Sequence, residues 1–311
     1  METLPVELVA YVFQMTAYMF RSTDRSTVVN LALTSSFVYD TVAPILYEMI
    51  IIKFNTQSEN SFSVFAKDEA IAAKVLKHVR FLCTGWRVVE ISSSTAAFFS
   101  NLETIHGPFS TWCTITLAQA KHGHAIASDA RFWEIGLPRN IDSNQQLCSL
   151  TRLHTFIPST SLPHTFREIS HDADGWTRRM LTLLPALTHM GFSHYGLDIS
   201  HENWEEKDLR VFEMILRTLA ACRRPFLQIM AFRLTGRATR CLDAYVRVAQ
   251  GAEEDLALRR VRFWADTRDI PTWDAESEVM INDARAGRSI WTEAKPWSLH
   301  VNLAQGLNPV K

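Results

Sequence analysis

Apolar positions in the first fifty residues fall at helical spacing. Leu8, Val12, Met15 and Met19 are 4, 3 and 4 residues apart, which puts them on one stripe of a helix. Pro5 and Glu7 suit its first turn, where a missing amide hydrogen costs nothing and an acid meets the positive end of the helix dipole. Ser22-Thr23-Asp24 then offers capping oxygens, and Val28, Val29, Leu31, Ala32 and Leu33 predict a second helix too apolar to have much solvent-facing side. A third helix, starting at Ser35 or Ser36, carries Phe37 and Val42 and is stopped or kinked near Pro44. Ile45-Leu46-Tyr47 and a strand-like run from Met49 to Ile52 follow. Three short helices make a thin core, so their leftover apolar surface needs the rest of the chain, another protein, or both to cover it.

Further along, the pattern alternates. A polar stretch, Asn55 to Ser61, precedes a helix-like segment over 62–77 and a strand-like Val79 to Cys83. Strand-like runs recur at Leu102–Ile105, Cys113–Leu117, Leu153–Ile157 and Phe166–Ile169. Three later runs, Leu187–Phe192, Leu227–Phe232 and Leu258–Phe263, share the pattern Leu-x-x-apolar-x-Phe. Helical periodicity lies between them, clearest over Glu205–Cys222, with others near 176–184, 239–250 and 275–286. Phe192 and Phe232 are 40 residues apart and Phe232 and Phe263 are 31 apart, a drift that fits a degenerate repeat better than a strict one. The expectation is a mixed α/β chain: a three-helix module over 1–54, a strand-helix array over 62–294 and a tail over 295–311. The array resembles a divergent leucine-rich-repeat domain in which parallel strands line one face, although the Leu-x-x-Leu-x-Leu-x-x-Asn signature is missing. A compact α/β domain with a parallel sheet would give the same alternation.

At 311 residues, 47% hydrophobic and 21% charged, the chain has ordinary globular composition. A formal net charge of −1 provides no global attraction to nucleic acid or anionic membrane, and neither is expected as a partner. Five cysteines, never spaced as a CxxC pair, suggest neither a disulfide framework nor a zinc site, and a reducing, intracellular setting fits them. The N-terminus lacks a basic leader, no Asn-x-Ser/Thr sequon occurs, and no apolar run is long enough to span a bilayer.

Leu4-Pro5-Val6-Glu7-Leu8 with Val12-Phe13, then Leu31-Ala32-Leu33-Thr34-Ser35-Ser36-Phe37, then Pro44-Ile45-Leu46-Tyr47 come in a meaningful order. Together they resemble the F-box motif, in the layout of F-box-like proteins numerous in mushroom-forming fungi. The resemblance covers residues 4 to 47. It implies a non-enzymatic adaptor that binds the Skp-family linker of an SCF-type cullin-RING ubiquitin ligase and recruits an unknown protein substrate through the rest of the chain. The implied linker contacts are Leu4, Pro5, Leu8, Val12, Leu31 and Phe37. Many F-boxes carry a basic residue before the third-helix aromatic, where this chain has Ser36. A helical cap on a larger domain, and a binding scaffold outside any ubiquitin ligase, are the alternatives.

Residues 207–262 hold twelve Lys or Arg against six Asp or Glu, and strand alternation places Arg260 and Arg262 on one face, opposite Val261 and Phe263. They are candidates for a surface that meets an acidic or phosphorylated substrate, against the plainer reading of a solvated face. Other chemistry has weaker support. His122-Gly123-His124, with His106 nearby in sequence, reads as a loop rather than a zinc site, because no Cys or carboxylate stands at ligand spacing. His171-Asp172-Ala173-Asp174-Gly175 lacks the later oxygens of a calcium loop, and Asp172 reads as a helix cap. Gly191-Phe192-Ser193-His194-Tyr195-Gly196 narrowly misses the Gly-x-Ser-x-Gly elbow of a serine hydrolase, with Ser193 as its candidate nucleophile. No phosphate-binding glycine loop is present, so no cofactor is expected. Any of the nine tryptophans on the strand-lined face would make natural binding anchors.

Overall fold

The structure is a computed structural model. It describes residues 4–21, 23–52, 62, 64–84, 91–108, 124–127, 150–157, 184–194, 209, 210, 212, 213, 216, 217, 227–256, 261–268, 270 and 273–296. Two compact units divide the chain, Met1–Gly123 and His124–Lys311. Each holds helices and parallel strands, so the protein is mixed α/β, with a helical N-terminus ahead of the strands.

The first unit opens with α1 (Val6–Phe20), α2 (Arg25–Ala32) and α3 (Ser36–Leu46). Pro5 stands at the N-cap of α1, Asp24 accepts the Thr27 amide to cap α2, and Ser35 accepts the Val38 amide to cap α3. Pro44 does not stop α3, which continues two residues beyond it to Leu46. The helices close on Ala17, Val28, Ala32, Val38, Val42, Ile45 and Leu46, with Phe13, Leu31, Tyr39 and Tyr47 at the margin.

β1 (Met49–Ile51), β2 (Phe81–Cys83) and β3 (Thr104–Gly107) follow and pair in parallel in that order. Between β1 and β2 the expected helix over 62–77 is divided at Asp68. This residue accepts the Ile71 amide and so starts a new helix, α4 (Glu69–Leu76). A short α5 (Ser93–Ala96) precedes β3.

The second unit is a sheet of parallel strands β4 (His124–Ala127), β5 (Arg152–Ile157), β6 (His189–His194), β7 (Ile229–Thr235) and β8 (Val261–Asp266), paired in chain order. A 3-10 turn (Gly236–Cys241) and α6 (Leu242–Leu256) join β7 to β8. After β8 come α7 (Trp273–Arg285), α8 (Ile290–Glu293) and β9 (Lys295–Pro296), which pairs antiparallel with β8. Lys295 and Pro296, in the stretch read from sequence as tail, thus belong to the sheet. His124, read from sequence as part of a loop, opens β4. The strand-like runs 113–117 and 166–169, the Asp172 cap and, except for Leu184, the helix near 176–184 lie outside the described residues.

The repeated phenylalanine of the Leu-x-x-apolar-x-Phe pattern has a structural meaning. Phe192 pairs in register with Phe232, and Phe232 with Phe263, so three distant residues form one row across β6, β7 and β8. Their rings lie 5.2 and 5.8 Å apart, the first pair stacked. Phe212, from the helix predicted over 205–222, meets Phe232 edge-on at 4.6 Å, and Tyr245 of α6 meets Phe212 at 5.0 Å. All five are fully buried, which makes this face of the sheet the core of the unit.

Candidate functional site

Two features could carry function, one in each unit. In the helical module, Val9, Ala10, Phe13, Thr16 and Ala17 form the inner side of α1, at 3.6-residue spacing. The stripe of Leu8, Val12, Met15 and Met19 faces outward. Tyr11 and Tyr18 flank it, and Leu4 and Val6 extend it. The second helix also keeps Val29 and Leu33 exposed, and the third keeps Phe37 exposed. Among the described residues, twelve of the fourteen exposed large apolar side chains lie between Leu4 and Phe37, so the exposure is concentrated here rather than scattered. Of the six linker contacts implied by the sequence resemblance, Leu4, Pro5, Leu8, Val12 and Phe37 are exposed and Leu31 is half-buried against the helical core. Ser36 is exposed in the first turn of α3, beside Phe37.

Covering exposed apolar surface is favourable in water, and α1 leaves its outer stripe uncovered by the described residues. Little charge accompanies the outer stripe. Within α1 the one ionisable carboxylate is Glu7, and Arg21 at its C-cap is engaged with Glu48. The surface is therefore suited to a partner that brings apolar surface of its own.

In the second unit, the sheet face opposite the phenylalanine row is polar and partly roofed. Ile290 and Ala294, at either end of α8, pack with Ala231, and Trp264 and Trp291 border that cluster. Trp291 meets His189 edge-on at 5.5 Å and His154 at 6.5 Å. The close approach depends on Gly191, because a Cβ there would stand 2.8 Å from the Trp291 ring and 3.2 Å from Ile290. Gly191 therefore makes room for α8.

Ser193 lies within β6 rather than on a strand-to-helix turn, and its hydroxyl is 2.8 Å from Nε2 of His154 on β5. A serine-histidine contact is the first requirement of nucleophilic catalysis. Ser193 is fully buried and His154 nearly so, and in this state the bond satisfies two polar groups that burial would otherwise leave costly. The motif around Ser193 does not point to His154, which lies 39 residues before it. The signal was the parallel alignment of the runs 153–157 and 187–192, which brings the two residues to one face.

One strand further, Arg233 and Asp266 are both buried and joined by two hydrogen bonds, of 2.9 and 2.7 Å. Arg268 binds Asp266 and Asp283 of α7, and Asp283 also pairs with Arg288. Burial opposes ionisation of Asp266, but hydrogen bonds from Arg268 and the charge and hydrogen bonds of Arg233 outweigh it and hold the carboxyl below its ordinary range. The same carboxylates hold the Arg268 guanidinium firmly protonated. Trp264 is flanked by both guanidiniums, Arg233 at 4.8 Å and Arg268 at 5.4 Å from its ring centre.

At the other end of the strands, Arg262 is half-buried opposite the buried Val261 and Phe263, as alternation predicts. Arg260 lies outside the described residues, as do His122 and the segment 171–175. His106 is fully buried on β3, with Nδ1 3.4 Å from the Cys83 sulfur, and burial pushes its imidazole down to about 4. Among the described residues no group of three or more His, Cys, Asp or Glu side chains is placed to hold a metal ion, and no helix is long and apolar enough to cross a membrane. Comparisons with protein-family models, with curated proteins and with solved structures found no match.

Proposed function

We propose that the protein is a substrate-recognition adaptor of an SCF-type cullin-RING ubiquitin ligase. It grips a Skp-family linker through α1, the end of α2 and the start of α3, and recruits a protein substrate through its strand-helix array. The observation that carries this reading is the outward apolar face of the helical module, on which Leu4, Leu8, Val12 and Phe37 stand exposed in the order the motif requires. Burying such side chains against a partner contributes roughly 25 cal/mol per Å² of apolar area removed from water. The protein then works inside the cell, where these ligases act.

The test is a pull-down of purified Skp-family linker by the full-length protein and by a Leu8→Ser/Val12→Ser variant. Both positions are exposed, so circular dichroism should be unchanged while linker binding falls at least tenfold. Full binding by the variant, or none by the wild type, would reject the reading. A serine hydrolase around Ser193 is the second reading, favoured by the 2.8 Å contact with His154 and opposed by the burial of both groups. A fluorophosphonate probe that labels wild type but not Ser193→Ala would bring it forward, and absence of labelling ends it.

A further inference from the structure

The polar face of the second unit uses most of its arginines internally. Arg233, Arg268 and Arg288 are each tied to Asp266 or Asp283. Arg152 and Arg262 differ, since neither makes an ion pair among the described residues. Register puts them on the same face. Arg152 pairs with His189 as the opening residues of β5 and β6, and Arg262, second in β8, pairs with Ala231 of β7, which pairs with Gly191 of β6, two residues beyond His189. Side chains two apart on a strand share a face. Arg152 is exposed, and Ile229, His189, Arg262 and Trp291 are half-buried. Arg152, His189 and Ile229 open their strands in one row and Arg262 stands two residues further along on the same face, so the four line one edge of it, with the Trp291 ring against His189.

Burial, followed by the charges of Arg152 and then Arg262, lowers the protonation of His189, so both guanidiniums act on the space around that ring. Among the described residues no carboxylate is paired with either guanidinium. Strands lie about 4.8 Å apart and rise about 3.3 Å per residue, so three strands across and two residues along set the backbones of Arg152 and Arg262 roughly 16 Å from each other, too far for one phosphate or one carboxylate to engage both. The span matches carboxylates about four to five residues apart on an extended segment, at about 3.4 Å per residue. A nucleic acid would need a longer basic stripe than two arginines provide.

We infer that the edge formed by Arg152, His189, Ile229 and Arg262 binds an extended acidic segment of another protein, with carboxylates several residues apart meeting the two arginines. This names the substrate class for the proposed adaptor and rests on that reading for its biological role. Its test contains no linker, so the two stand or fall separately.

The probe is a fluorescein-labelled peptide of alternating Glu and Ser, eight residues long, titrated with full-length protein and followed by anisotropy. Comparison probes are the Gln-Ser version, a peptide with one phosphoserine and no other charge, and a single-stranded DNA 12-mer. The Glu-Ser peptide should bind at least tenfold tighter than each comparison probe. Arg152→Gln and Arg262→Gln should each weaken it about threefold and together at least tenfold. R152K/R262K should retain most of the binding, and Arg247→Gln, on the exposed side of α6, should leave it unchanged. A melting temperature equal to wild type would show that the double Gln variant is folded. The inference is overturned if the Glu-Ser peptide binds no better than the Gln-Ser one, if the folded double variant binds within twofold of wild type, or if the phosphoserine peptide or DNA binds as tightly.

Discussion

In α1 through α3, leucines, methionines and tyrosines stand in water, whereas in the sheet of the second unit an arginine, an aspartate, a serine and a histidine are out of it. Both arrangements reverse the ordinary sorting of side chains, and they do so at different cost. An exposed Leu8 forfeits burial that a partner can later provide. A buried Arg233 must have Asp266 at once, because a desolvated charge has no such reserve. The first unit therefore exposes apolar surface that a partner can cover, whereas among the described residues the buried charges of the second unit are already paired.

Removing the counter-charge tests the settled side most severely. Asp266→Ala takes from the buried Arg233 the carboxylate that binds it and also releases Arg268. The second unit should lose about 3–5 kcal/mol, read as the shift of its urea midpoint. Acid tests the first unit. His106 titrates near 4 in the folded state against an ordinary 6.5, so the unfolded chain takes up a proton first as pH falls, and stability present above pH 6.5 is lost down to about pH 4. Between pH 7.5 and 5 the loss should be about 2 kcal/mol from this residue, and His106→Leu should flatten that part of the profile.

Smaller effects sharpen the contrast. Gly191→Ala would push a Cβ into Trp291 and Ile290 and should cost about 1–2 kcal/mol, with faster amide exchange in α8 as the local sign. Leu8→Ser should change stability by less than about 0.5 kcal/mol, the smallest effect of the set, although it alters the surface assigned to the linker. A loss of several kcal/mol there would mean that the stripe is packed within the chain, and the comparison between the units would fail.

Much of the architecture was legible in the sequence because periodicity carries it. The Phe192, Phe232 and Phe263 pattern pointed to repeated strands, and the register then put those residues in one row. The helix over 62–77 was read as continuous because its apolar spacing is, but the Asp68 side chain competes for the backbone and begins a new helix. β4 escaped notice because His124-Ala125-Ile126-Ala127 has a single large apolar residue and follows a His-Gly-His run that suggests a loop. The stripe Leu8, Val12, Met15 and Met19 announced a helix correctly. Periodicity alone does not say which way a stripe faces when the opposite side, with Phe13 and Ala17, is also apolar. The contact between His154 and Ser193 and the pairing of Arg233 with Asp266 were out of reach, since each joins neighbouring strands 39 and 33 residues apart in sequence.

The strands of the second unit lie side by side in the order in which the chain makes them, and β9 closes the row against β8. Within the sheet each strand hydrogen-bonds to those before and after it in the chain, so its pairing is local in sequence order. The same one-dimensional order allows a strand and its helix to be gained or lost by duplication or deletion without rethreading the rest.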